Sequence, residues 1–195
     1  MFVLTIDQRG SRRTHDRVPE LLAALAADPS LAVLLGPERT VGDEVQLVVG
    51  EALTVIDAIE VCTRLRGWTI GVGVGDMDEP RSVSTRAARG TAFTSARVAV
   101  ERAKRTSAHL SIEGGADPYA ARRAEAALWL LVAVQSRRTE RGWQVVQAVR
   151  TEGSQRAAAA RLEVSEQAVS QALRSAGNAE TKRGRELAAW LLGQL

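Results

Sequence analysis

A chain of 195 residues, 45% of them apolar and 25% charged, buries enough apolar surface to fold without staples, as one large domain or two small ones. Its single cysteine excludes an internal disulfide. With no run near 20 apolar residues, and a short N-terminal strand running straight into Arg9, Arg12 and Arg13, neither a membrane span nor a signal peptide is expected, and the setting is read as cytoplasmic. A net charge of +3 is too small to mark a nucleic-acid binder by bulk charge alone.

The first 115 residues alternate in period. Residues 2–7 predict a strand, and residues 15–27 a helix with Leu21, Leu22, Leu25 and Ala26 as its apolar stripe. Strands over residues 31–35 and 45–49, joined by a loop holding Gly36, Pro37 and Gly42, predict a hairpin. A helix over residues 51–66 carries Val55, Ile56, Ile59, Cys62 and Leu65, so the thiol reads as a small buried hydrophobe. A strand over 68–74, a helix over 86–105 with Phe93, Ala96, Val100 and Ala103 on one face, and a short strand over 108–112 complete the half. The run opens with the order βαββαβ, which predicts a ferredoxin-like, palm-like α+β domain: an antiparallel sheet with helices on one face. The Gly114-Gly115 stretch sets a boundary, giving domains 1–115 and 116–195.

Beyond it every pattern is helical. Asp117 caps a helix with Pro118 in its first turn, running to about residue 136. Thr139 caps the next, which carries Trp143, Val146 and Val149. Residues 155–174 then have the spacing of a helix-turn-helix: Ala159 lies where two helices touch, and Leu162, Val164, Val169 and Leu173 complete a shared core. Ser165 stands at the N-cap of the second helix, whose outward residues Glu166, Gln167, Ser170, Gln171 and Arg174 are donors and acceptors suited to base edges. Gln155 and Arg156, at the start of the first helix, suit phosphates. A plain αα-hairpin in a helical bundle is the competing reading. The run resembles the reading unit of small phage repressors of the Cro type, with Glu163 where such turns usually hold glycine. A last helix over residues 180–194 presents Leu187, Trp190, Leu191 and Leu195, to pack on the preceding helices or to dimerise. Residues 116–195 hold 12 basic against 8 acidic side chains, whereas residues 1–115 hold 14 against 15, so the positive excess accompanies the helix-turn-helix.

In a βαββαβ fold the end of the first strand lies beside the hairpin tip, bringing Asp7 near Asp43 and Glu44. Paired carboxylates there can hold Mg²⁺ against a triphosphate, as in the palm of nucleotidyl cyclases and GGDEF-type enzymes; they also suit a plain turn, with Asp7 bonded to Arg12 or the loop backbone. Residues 7–12 read Asp-Gln-Arg-Gly-Ser-Arg, residues 42–44 Gly-Asp-Glu, and residues 90–97 Gly-Thr-Ala-Phe-Thr-Ser-Ala-Arg. In this order, ahead of a helix-turn-helix, they resemble the SatD family of small bacterial proteins. The resemblance implies a palm-like domain joined to a helix-turn-helix, with Asp7, Ser11, Arg12, Gly42, Asp43, Glu44, Gly90, Phe93 and Arg97 as matching positions. Asp7 and Asp43 are the metal candidates, and Ser11, Arg12, Gly42, Glu44, Gly90, Phe93 and Arg97 the nucleotide candidates. Cyclases place Asn and Arg four residues apart on that helix, where this chain has Thr94 and Val98.

Two further motifs carry less. Gly71, Gly73 and Gly75 precede an acidic loop, Asp76, Asp78, Glu79 and Pro80, and no helix N-terminus, so they predict close helix packing rather than a dinucleotide cradle. His15 and His109 lack neighbours at zinc-ligand spacing. The expectation is therefore a homodimeric transcriptional regulator that binds double-stranded DNA, its N-terminal half serving dimerisation or the sensing of a nucleotide or metal. The alternative is a nucleotidyl-transfer enzyme using Asp7 and Asp43 with Mg²⁺.

Overall fold

The computed structural model describes residues 1–79 and 83–195, so Pro80 of the expected acidic loop lies outside the described residues. The elements are β1 (Phe2–Gln8), α1 (Val18–Ala27), β2 (Val33–Arg39), β3 (Glu44–Val49), α2 (Ala52–Leu65), β4 (Trp68–Val74), α3 (Thr91–Ala103) and β5 (Leu110–Gly114), then α4 (Pro118–Gln135), α5 (Glu140–Glu152), α6 (Gln155–Arg161), α7 (Glu166–Ser175) and α8 (Asn178–Leu192). Among the described residues no helix is long and apolar enough to cross a membrane.

The class is α+β, built on a five-stranded mixed sheet in the order β2-β3-β1-β4-β5. β1 runs antiparallel to both β3 and β4, β2 is antiparallel to β3, and β5 lies parallel to β4. This departs from the wholly antiparallel sheet with helices on one face. Leu4 and Ile6 of β1, Leu47 of β3 and Val72 of β4 point into one large core with Leu21 of α1 and Ile56 of α2. Val3 and Val48 point the other way and meet Ala92 and Ala96 of α3, because side chains alternate across a strand. The strands β3, β4 and β5 all run in one direction, and both crossovers step the same way along the sheet. Carrying α2 and α3 on opposite faces, those crossovers must have opposite hands, so one departs from the usual right-handed connection.

Glycines make the α3 face possible. A Cβ on Gly71 would stand 2.2 Å from the Val100 backbone nitrogen, and one on Gly73 would stand 2.1 Å from the Ala92 carbonyl oxygen. The backbone of α3 therefore rests directly on β4, as the glycine run predicts. The helix starts at Thr91, not near residue 86, since Gly90 takes φ +136° and a Cβ there would press on the Asp76 carbonyl at 2.3 Å. The hairpin also differs from expectation: Gly36 and Pro37 lie inside β2, whose register shifts between the Val33, Leu35 and Glu38 pairings, and the turn is confined to residues 40–43.

The boundary expected at 115 falls between β5 and α4, but it does not separate two cores. Ala124, Leu128 and Leu131 of α4 and Ala188 and Leu192 of α8 belong to the same apolar cluster as the sheet. Of the C-terminal helices, α5, α6 and α7 enclose a cluster of their own, formed by Val145, Ala159, Val169 and Leu173. Charge pins these helices to α2. The Arg185 guanidinium donates to Asp57 at 2.6 Å and to Glu60 at 3.3 Å, Arg150 approaches Glu60 at 3.3 Å, and the Gln135 amide donates to Glu60 at 2.8 Å. On the sheet side, Glu125 of α4 receives both terminal nitrogens of Arg102 and the Ile112 N–H.

Because the helix backbone cannot yield at Gly73 without leaving the strand, Gly73→Ala is expected to destabilise the protein by about 3 kcal/mol or more, read as a shift in the urea midpoint.

Candidate nucleic-acid interface

Local chemistry dictates each corner of the α6–α7 unit. The Ser154 hydroxyl accepts from the Ala157 N–H at 3.1 Å and caps α6; the Ser165 hydroxyl accepts from the Ala168 N–H at 3.1 Å and caps α7. Ala159 is buried where the helices meet, with Leu162 and Val164 of the turn packed against the cluster. The turn reverses at Glu163, whose φ of +54° places an ordinary side chain in the left-handed region. Gly153 closes α5 at φ +73°.

The opposite face of α7 is left to solvent. Glu166, Gln167, Gln171 and Arg174 are exposed and Ser170 is half-buried, its hydroxyl accepting from Arg174 at 2.9 Å. Gln155 and Arg156 are exposed at the start of α6. Six of the eight side chains expected to meet DNA thus form an open polar surface; Ser165 is occupied as a cap and Ser170 in steadying Arg174.

Two arginines that sequence reasoning missed position this unit. Arg138, in the turn between α4 and α5, is 2% exposed; it donates to the Ala176 carbonyl at 2.8 Å and the Thr181 hydroxyl at 2.6 Å, and stacks over Trp143 at 4.7 Å. Burial depresses its pKa, yet the charge persists because guanidinium titrates so far above neutrality. Arg66, just after α2, donates to the carbonyls of Ser136 at 3.2 Å and Arg138 at 3.4 Å. Neither belongs to a periodic apolar pattern, so the only sequence signal was Arg66-Gly67 at a helix end.

In the N-terminal half the acidic residues do meet. Asp7 pairs with Glu44 across the β1–β3 ladder, and the Gln8 N–H donates to the Asp43 carbonyl at 3.4 Å. The Asp7 carboxylate, however, lies 3.2 Å from the Lys104 ammonium at the end of α3 rather than bonding Arg12. Burial raises the Asp7 pKa, Lys104 opposes that rise, and the nearby Asp43 charge adds to it. Glu44 accepts from the Thr40 hydroxyl at 2.6 Å. Among the described residues no group of three or more His, Cys, Asp or Glu could hold a metal ion.

The nucleotide candidates divide between two recesses. Glu44, Gly90, Phe93 and Arg97 border a cleft of about 680 Å³ between β3 and α3, together with Arg86 and Arg89. Ser11 and Arg12 line another, of about 480 Å³, with Asp7 and Lys104. Gly42 and Asp43 line neither; Gly42 takes φ +61° in the turn and its carbonyl accepts from Arg39 at 2.6 Å. Comparison with protein families, with characterised proteins and with solved structures returns no match for this chain.

Glu163→Gly relieves a left-handed residue worth about 1–2 kcal/mol and adds about 0.5–1 kcal/mol of chain entropy to the unfolded state. A net gain of about 0.5–1 kcal/mol is expected, visible as a rise of about 2 °C in thermal midpoint. For Asp7→Asn the sign depends on pH. A carboxyl held above its ordinary 3.8 favours folding while protonated and loses that advantage as pH rises through its folded value, so the variant should gain stability relative to wild type between pH 3.5 and 7 in chemical denaturation.

Proposed function

We propose that this chain is a sequence-specific DNA-binding regulator whose α7 enters the major groove. One observation carries the reading: the apolar face of α7 is consumed by its own small cluster, and its polar face is left uncovered at the surface. Such a division is expected of a helix built to touch another molecule, since among the described residues the Gln167, Gln171 and Arg174 side chains have no hydrogen-bond or ion-pair partner beyond the Arg174–Ser170 bond. Gln pairs with adenine and Arg with guanine through two hydrogen bonds each. Gln155 and Arg156 would hold phosphates on either side of the groove. One unit presents a short surface, so a homodimer on a two-fold site is the proposed binding form.

The N-terminal half, in this reading, is a ferredoxin-like palm of SatD type that binds a nucleotide as a signal rather than turning it over. Support comes from the cleft between β3 and α3, where the Arg89 and Arg97 guanidinium groups have no hydrogen-bond or ion-pair partner among the described residues beside the half-buried ring of Phe93. Against nucleotidyl transfer stands the engagement of Asp7 by Lys104.

Selecting the best duplex from a random pool and titrating it at fixed salt tests the regulator. The double variant Gln171→Ala/Arg174→Ala should bind that duplex at least about 30-fold more weakly, as expected for losing two base contacts of about 1–3 kcal/mol each, with unchanged thermal stability. Equal affinity would refute the assignment of these readers.

A further inference from the structure

A third cleft, of about 570 Å³, opens beside the α4–α5 turn, where the ends of α2 and the start of β4 meet the segment before β5 and the outer half of α4. Its walls are apolar: the indoles of Trp68 and Trp129 and the side chains of Ile70 and Leu130, the last 71% exposed. Its charges are all of one sign. Arg9, Arg66 and Arg137 border it and no Asp or Glu does, an imbalance in a chain that carries 23 acidic residues. The Arg9 and Arg137 guanidinium groups are exposed and have no hydrogen-bond or ion-pair partner among the described residues. They are therefore available to a visitor.

The frame of the cleft is held under backbone strain. Arg66 at φ +56° and His109 at φ +50° are two of the three non-glycine residues in the left-handed region among the described residues, and both line it. Such conformations persist only where the surroundings enforce them. Among the described residues the ring nitrogen Nδ1 of His109 and the Trp68 indole N–H have no hydrogen-bond partner, both atoms being buried. An apolar volume of this size bordered by a few cationic side chains has the anatomy of a small-molecule site.

From the cleft a chain of bonds leads to the end of α7. Arg66 grips the carbonyls of Ser136 and Arg138, and the Arg138 side chain grips the Ala176 carbonyl and Thr181. An anion that drew Arg66 toward itself would loosen or shift the turn on which Arg138 stands.

We propose that this cleft binds a small amphipathic anion, an acid with an apolar body, and that its occupancy is transmitted through Arg66 and Arg138 to the C-terminal end of α7. The binding claim is independent of the DNA-binding reading; only the meaning of the transmission rests on it.

Calorimetry with octanoate and, as a neutral counterpart, octan-1-ol tests the site on the full chain. Octanoate should bind wild type, bind the double variant Arg9→Ala/Arg137→Ala about 10-fold or more weakly, and fail to bind Ala133→Trp, which fills the cleft from an exposed position of α4. Octan-1-ol should bind wild type and the double variant alike. Absence of octanoate binding to wild type, or equal octanoate affinity in the double variant, would overturn the site. Transmission is read without DNA, by amide hydrogen exchange: octanoate should change protection at residues 176–181 in wild type and not in Arg66→Lys. An unchanged exchange pattern in wild type at saturation would overturn the transmission while leaving the site and the DNA-binding reading to their own tests.

Discussion

Two carboxylates on one helix hold the molecule's halves in register. Asp57 and Glu60 of α2 are 8% and 12% exposed at their side chains, and they receive Arg185 from α8, Arg150 from α5 and Gln135 from α4. Removing such charges from water costs about as much as their attraction returns, so the cluster contributes little net stability compared with an apolar replacement of the same shape. Its value is directional. Apolar contacts between α8 and the α2–α4 layer would tolerate a slide or a rotation, whereas a guanidinium forked over two carboxylates one turn apart tolerates neither. The α5–α7 unit inherits its position from this cluster and from Arg138, since its own small core would be satisfied in many orientations.

A different constraint shapes the sheet. With α3 lying on the bare backbone of β4, the face away from the main core is covered at one end, and the strip over β3 is left open. The hydroxyl and amide side chains of Thr5 and Gln46 occupy that strip and bond to each other at 3.1 Å. Glu38 stabilises the opposite wall by accepting from the Ser84 and Thr85 hydroxyls at 2.7 and 2.9 Å, which holds its carboxyl below the usual range. The cleft between β3 and α3 thus follows from where a helix sits, and part of its polarity serves its walls' own hydrogen bonds.

Periodicity in the sequence carried most of the elements and the whole of the α6–α7 unit, down to Ser165 as cap and Glu163 as the awkward turn residue, because each of those features is local. The glycine run in and just after β4 was equally readable, since a close backbone approach favours small residues on alternate positions. Relations between distant segments were not readable. The fifth strand pairing in parallel, the placement of α3 on the far face, and the merging of α4 and α8 into the sheet's core are set by long-range packing that leaves no mark on spacing. At Asp7 the juxtaposition with Asp43 and Glu44 followed from topology, while its partner Lys104 comes from a helix end whose location depends on that unexpected face.

Arginine makes up 24 of the 26 basic residues, and the structure spends much of that supply internally: Arg17 clamps two carbonyls at the end of α2, Arg66 two more before α5, Arg102 holds Glu125, Arg138 caps the end of α7, and Arg185 closes the α2 cluster. A high isoelectric point here records masonry as well as reach. On the α6–α7 unit itself, Arg161 pairs with Glu152 and Arg174 leans on Ser170, so of its three arginines Arg156 alone has no partner among the described residues, and a duplex touching that unit alone would displace correspondingly few condensed counterions.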